Sequence, residues 1–172
     1  DEIAHRELNQ QIQEQGVIFT DLQTACREYP ELVQKHLFTK AVRPDEGKFA
    51  ALNAAAWTHG LFVYVPKNTA VEFPLHSIFY KENIGASVGH VLVVLESGAE
   101  ATILQEYLSA EQEEHSSYIG ATELIVGQNA NLRYVSLQSW GHNIYEFSHG
   151  RGHVGRDGQL DWVVGSMGSK LT

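Results

Sequence analysis

The chain has 172 residues, 43% of them hydrophobic, and a formal net charge of −9. That length supports one domain with a real core; no run of ~18 apolar residues offers a membrane span, and lysines and arginines form no cluster of the kind that neutralises nucleic-acid phosphates. The single cysteine, Cys26, excludes an intrachain disulfide framework and an all-cysteine metal site, and the acidic balance favours solubility, with a cytoplasmic address as the expectation.

The opening DEIAHRELNQQIQEQ is too polar for a signal peptide and does not begin with Met, so the chain reads as a piece of a longer protein. Residues 1–15 are predicted as a frayed helix or linker. In TDLQTACREYPELVQKHL, Thr20 is the expected helix cap, with Gln23 reaching back to it. Leu22 and Cys26 lie four apart and share a face, so Cys26 is predicted as a buried structural thiol. A reactive thiolate needs a facing cation, and the adjacent Arg27 does not face it. Pro30 disfavours helix at Tyr29 and suits the first position of a second helix, 30–37. A third is predicted over 46–57, where Phe49, Leu52 and Ala56 recur at helical spacing. From Gly60 onward the chain is rich in Val, Ile, Tyr and Phe cut by Gly, Asn and Asp, which is strand-and-turn composition. The organisation read from this is a helical region, 1–59, and a strand region, 60–172. Pro66 and Pro74 flank a predicted strand at 71–73.

Within the strand region one shape returns four times: VPKNTAVEF at 65–73, LESGAEATI at 95–103, VGQNANLRY at 126–134 and VGRDGQLDW at 154–162. Val65, Leu95, Val126 and Val154 lead, at spacings of 30, 31 and 28 residues. Each turn supplies residues that tolerate left-handed backbone. Phe73, Ile103, Tyr134 and Trp162 close the copies as expected inward residues, while Glu72, Thr102, Arg133 and Asp161 are expected to point out. A fixed period signals a repeated supersecondary unit. Two architectures satisfy it: a β-solenoid of stacked coils, or an antiparallel sandwich or jelly roll.

Chemistry is sparse. His142, Glu146, His149 and His153 would share one face of a helix and suggest a metal site, the basis of an alternative reading as a small metal-binding β-sandwich or jelly-roll enzyme. But Gly141, Gly150 and Gly152 disfavour a helix, and on a strand the four split between two faces, leaving no metal site assigned. His76 and His90 are predicted as half-buried, hydrogen-bonded strand residues. Gly165-Ser166-Met167-Gly168-Ser169-Lys170 lacks the order of a phosphate loop. A carbohydrate-active β-helix would need paired carboxylates and exposed aromatics such as Trp140 and Trp162, yet Trp162 occupies an inward slot. No catalytic residue is assigned, which favours a scaffold or binding module.

The words GVIFTDLQTACREYPELVQKHL, KFAALNAAAWTHGLFVYVPKNTAVEFPL, LRYVSLQSWGHNIYEF and LDWVVGSMGSKLT resemble the core of the SufB/SufD family, the scaffold subunits of iron–sulfur cluster assembly, from Gly16 to Thr172. The resemblance implies a mainly β, right-handed parallel β-helix, with the short helical region preceding its first coils. It implies a SufC-type ABC ATPase as partner, docked through a helical region beyond this stretch, and a SufB–SufD heterodimer. On that complex an iron–sulfur cluster forms from iron, electrons and persulfide sulfur, supplied indirectly by a cysteine desulfurase or sulfur carrier. A flavin is linked to some such complexes; no cofactor is assigned to this stretch. The cysteine and histidine of the family's heterodimer interface lie beyond it. SufB-type proteins carry a cysteine in a Glu-Gly-Cys context just after the strand that follows the second turn; this chain reads Gln105-Glu106-Tyr107 there. With the acidic AEQEEH loop and the GRDGQLDW turn, that favours a SufD-like, non-catalytic scaffold, although the QSW and GSK words look SufB-like. An open solenoid end also predicts self-association.

Overall fold

The computed structural model describes residues 12–82, 84–111 and 113–171. The predicted linker over 1–15 therefore falls largely outside the described residues. A short strand, β1 (Ile18–Asp21), leads into α1 (Leu22–Glu28), α2 (Pro30–His36), a 3-10 turn (Pro44–Glu46) and α3 (Lys48–Ala56). Eight strands follow: β2 (His59–Val65), β3 (Leu75–Lys81), β4 (Ala86–Leu95), β5 (Glu100–Ser109), β6 (Ser116–Val126), β7 (Asn131–Ser139), β8 (Ile144–Val154) and β9 (Gln159–Ser166).

Three helices form where composition placed them, with one change of cap. Thr20 belongs to β1, opposite Phe62. Asp21 caps α1 instead, its Oδ1 accepting from the Thr24 amide at 2.8 Å, and that bond holds the Asp21 carboxyl below its usual range. The Gln23 amide donates to the Thr58 carbonyl rather than to the cap. Pro30 takes the first turn of α2, where its missing N–H costs nothing.

The strands alternate between two sheets, β1-β2-β4-β6-β8 and β3-β5-β7-β9. Only β1 pairs antiparallel; every pairing between successive coils is parallel. The repeat is thus a parallel β-solenoid of about four turns, and the antiparallel sandwich or jelly roll is ruled out. Columns of like residues run through the stack: Val65, Leu95, Val126 and Val154 in one sheet, Ile103, Tyr134 and Trp162 in the other.

The recurring turn is a backbone device. Its fourth residue is left-handed in every copy: Asn68 (φ 55°), Gly98 (71°), Asn129 (55°) and Asp157 (54°). Asn, Asp and Gly tolerate this conformation best. Each turn then bonds the next, Asn68 N–H to Ser97 O at 3.0 Å, Gly98 N–H to Gln128 O at 2.9 Å and Asn129 N–H to Arg156 O at 3.0 Å, so the ladder continues around the bend.

The first copy departs from the expected register. Leu75, not Phe73, pairs with Ile103, because Ala70 bridges Glu100 and the residues between bulge outward. Phe73 is 51% exposed, and the predicted strand 71–73 gives way to one that begins after Pro74, which has no N–H to donate. Elsewhere the pattern is as expected: Arg133 and Asp161 sit side by side outside, 3.3 Å apart, and Trp162 packs edge-on to Tyr134 inside, at 5.8 Å.

Two cores result. Leu61, Val63, Val93, Leu124, Ile103 and Leu132 fill the space between the sheets. On the outer face of the first sheet, Phe62, Leu92 and Val94 pack against Leu22, Ala25 and Val33 of α1 and α2. Farther along that face, Phe49 of α3 stacks on Phe147 of β8 at 4.5 Å. The first sheet is therefore covered on both faces, which explains the near-continuous apolar run VLVVL.

Candidate functional site

Within the solenoid the inward residues change character across the coil. Beside the tight turns they are aliphatic; toward the longer loops they are aromatic and polar. Two glycines create the room. Gly89 and Gly120 lie in one inward column with His59 and Ser148, and a Cβ on Gly89 would collide with the Tyr118 hydroxyl and the His59 ring. Aromatic rings fill that space: His59 lies flat on Phe79 at 4.2 Å, and Tyr107, Tyr118 and Trp140 close around Phe79.

At the first-coil end this region opens into a cavity of about 400 Å3, lined by Phe19, His59, Phe79, Gln105 and Tyr107 among others. Burial, and then the charge of Lys81, push the His59 imidazole down to about 4, so it is neutral at pH 7. Its Nε2 and the Gln105 Oε1 are buried without hydrogen-bond partners. Burial pushes the Tyr107 hydroxyl up to about 12 and those of Tyr118 and Tyr134 well above their usual value. Lys81 is buried too, donating to Ser87 Oγ at 3.0 Å, and burial lowers its pKa. A cavity that sets fixed polar groups such as His59 and Gln105 among aromatic rings has the geometry of a ligand pocket.

The predicted metal-ligand set is not brought together. His142 pairs with Glu111 at 3.0 Å in solvent. Glu146 turns inward and accepts from Gln138 Nε2 (2.8 Å), Trp140 Nε1 (3.0 Å) and Ser148 Oγ (2.6 Å). His149 faces the other way and meets Glu46 at 3.1 Å, while His153 is exposed farther along β8. His142 lies in the turn before β8, strand parity separates Glu146 from His149 and His153, and among the described residues no three His, Cys, Asp or Glu side chains converge as a metal site. Trp140 is buried rather than displayed for a sugar. Cys26 packs against the helical core, and burial raises its pKa.

His76 pairs with Glu106 at 3.0 Å on the outer face of β3 and β5. His90 is fully buried: its Nδ1 meets Asn53 Oδ1 at 2.8 Å and its Nε2 meets Glu123 Oε1 at 3.1 Å. Glu123 also accepts from the amides of Phe38 (2.8 Å) and Val42 (3.1 Å), and Asn53 Nδ2 donates to Gly89 O at 2.7 Å. This network ties the helical region to the sheet. The one sequence signal for Glu123 was a lone acid inside the apolar run IGATELIV.

Comparison with known proteins agrees with this architecture. The family description "SUF system FeS cluster assembly, SufBD core domain" matches residues 78–172, and "SufBD protein N-terminal region" matches residues 1–76. This chain belongs to the SufBD family. Iron-sulfur cluster assembly SufBD family proteins of Staphylococcus epidermidis, Staphylococcus haemolyticus and Staphylococcus aureus are each 34% identical to it over 173 aligned residues, covering 99% of this chain and 37% of each relative. The SufBD chain described here thus spans little more than a third of the length of those relatives. In it, Gln105-Glu106-Tyr107, where the resemblance expects the SufB-type cysteine just after a strand, lies within β5, which runs on to Ser109; Tyr107 turns into the aromatic cluster and is 7% exposed.

Proposed function

We propose that this chain is the helical region and first coils of a SufD-like scaffold subunit, which works without catalysing a reaction of its own beside a SufC-type ATPase and a SufB-type partner. The observation that carries this reading is Tyr107. A phenol cannot carry a persulfide, and this one, where the resemblance sets the SufB-type thiol, is buried among rings. The only sulfhydryl in the chain, Cys26, lies in the helical region with its pKa raised by burial, which disfavours the reactive thiolate. The solenoid supports the reading mechanically: parallel ladders that continue through the turns make a rigid support, and rigid elements hold a partner's cluster ligands in place.

The test uses the complete protein carrying this chain, expressed without a tag beside a tagged SufC-type ATPase and a SufB-type partner under anaerobic conditions. The expected result is recovery of all three, with iron and sulfide bound after reconstitution and unchanged by Cys26→Ser. Failure to associate, or persulfide carried on Cys26, would sink the proposal.

A further inference from the structure

A second cavity, of about 260 Å3, lies on the other side of the first sheet, between the segment ending α2 and the tight-turn edge. It shares no residue with the interior chamber. Lys35, His36 and Lys40 contribute from the helical region, Glu96 from the second turn and His153 from β8. The central residue is His36. It is 5% exposed, and neither ring nitrogen has a hydrogen-bond partner. Leaving such groups unpaired is costly, and native interiors rarely carry them without a reason. Around it the charge is unbalanced. Lys40 is exposed and has no acidic partner among the described residues. Lys35 reaches only Glu96, at 3.4 Å and with a largely exposed side chain. Two ammonium groups thus line the cavity with one carboxylate, that of Glu96, while the charge of Glu123, itself held by backbone amides and His90, also reaches His36.

We propose that this cavity binds a phosphate group, inorganic or carried on a small phosphomonoester, with the His36 ring donating to a phosphate oxygen and Lys35 and Lys40 supplying the compensating charge. A tetrahedral dianion accepts hydrogen bonds from several directions at once, which suits donors arriving from a helical segment and from a strand. The volume exceeds that of a phosphate, given about 30 Å3 for one water in the liquid. A small organic body therefore fits beside Ile125, which lines the same cavity. Burial, assisted by Lys35, lowers the His36 pKa in the absence of an anion; a neighbouring dianion acts in the opposite direction and favours the histidinium, which donates from both nitrogens. The site is independent of the scaffold reading, since it involves neither Tyr107 nor Cys26.

The complete protein with 15N-labelled histidine provides the readout, through ring-nitrogen resonances followed during titration with inorganic phosphate and, separately, with sodium chloride at matched ionic strength. A saturable His36 response to phosphate and none to chloride is expected. Lys40→Ala weakens binding at least about fivefold, the loss of roughly 1 kcal/mol of charge interaction. Glu96→Gln tightens it, because a competing carboxylate is gone; a residue with a purely structural role gives no gain. Glycerol 3-phosphate binding more tightly than inorganic phosphate identifies a phosphomonoester as the natural occupant, and equal or weaker binding identifies phosphate itself. A response that chloride reproduces, or that is unchanged in both variants, overturns the proposal.

Discussion

Three hydroxyls in the solenoid interior set its behaviour in alkali. Tyr107, Tyr118 and Tyr134 are buried, and burial raises all three pKa values above the ordinary 10.0, that of Tyr107 to about 12. A folded-state pKa raised above the unfolded one gives stability that is complete below pH 10 and lost as pH rises toward 12. For Tyr107 alone two units amount to roughly 3 kcal/mol. Of the seven tyrosines, these three are expected to ionise only together with cooperative unfolding, seen as tyrosinate absorbance stepping up with the loss of the far-ultraviolet signal. Their smooth titration in a folded protein near pH 10 would contradict the buried cluster. Glu123 is a second residue with a large expected effect. Glu123→Ala leaves the His90 ring and two backbone amides without their acceptor, at about 1–3 kcal/mol for each buried group left unsatisfied. Urea unfolding measures it, and hydrogen exchange at Phe38 and Val42 locates it; an effect below about 1 kcal/mol, the level of an exposed pair, would mean that solvent reaches the network.

At the level of the turn, the fourth position decides whether the ladder can go around the bend. Gly98 sits at φ 71° against Asn68 of the preceding coil, and an added Cβ would meet the Asn68 side-chain oxygen. Gly98→Ala is expected to cost about 1–3 kcal/mol, combining left-handed strain with that collision. Asn129→Gly, at the same place one coil on, is expected to change stability by less than about 1 kcal/mol, since glycine accepts the conformation and loses only chain entropy. Thermal unfolding of the pair separates backbone conformation from packing, and equal losses would refute the turn argument. The same positions explain what was legible in the sequence. Turn residues and apolar–polar–apolar triplets are local, so the four turns, and the inward residues Ile103, Tyr134 and Trp162 of the last three copies, could be read directly. What the pattern could not carry was the first-copy bulge, because Val71-Glu72-Phe73 satisfies the triplet and only pairing with β5 shows Leu75 in its place. Nor could it carry the interior chamber. That depends on Gly89 and Gly120 lying in one column with His59, which is a consequence of register across coils ~30 residues apart. The histidine and glutamate spacing at 142–153 was visible for the opposite reason: it suits a helix, and the turn at His142 and the strand parity of β8 disperse it.

For the whole molecule, stacking places the burden of stability on neighbouring coils. Each repeat in such a fold is held by the ones above and below it. At the helical end the first coil is protected: β1 pairs with β2, and α1 and α2 cover the outer face of the first sheet. The fourth coil has no such cover among the described residues. The segment at Leu171 bridges only Tyr145 at the start of β8, β9 lines the edge of its sheet, and Val154, Val163, Val164 and Met167 are each at least 40% exposed. Open strand edges bearing apolar side chains recruit further strands. Residues 1–172 produced by themselves are therefore expected to self-associate through the fourth coil, with a mass in light scattering that rises with concentration. Charging that edge should reverse this without harming the fold: Val164→Lys is expected to shift the association by at least about tenfold, equivalent to roughly 1.4 kcal/mol, while leaving the alkaline transition of the interior tyrosines in place. A monomer at every concentration would show that the end coil is satisfied as it stands. Association that persists in Val164→Lys but disappears on charging the outer face of β3, as in Ile78→Lys, would place the contact on the opposite end of the stack.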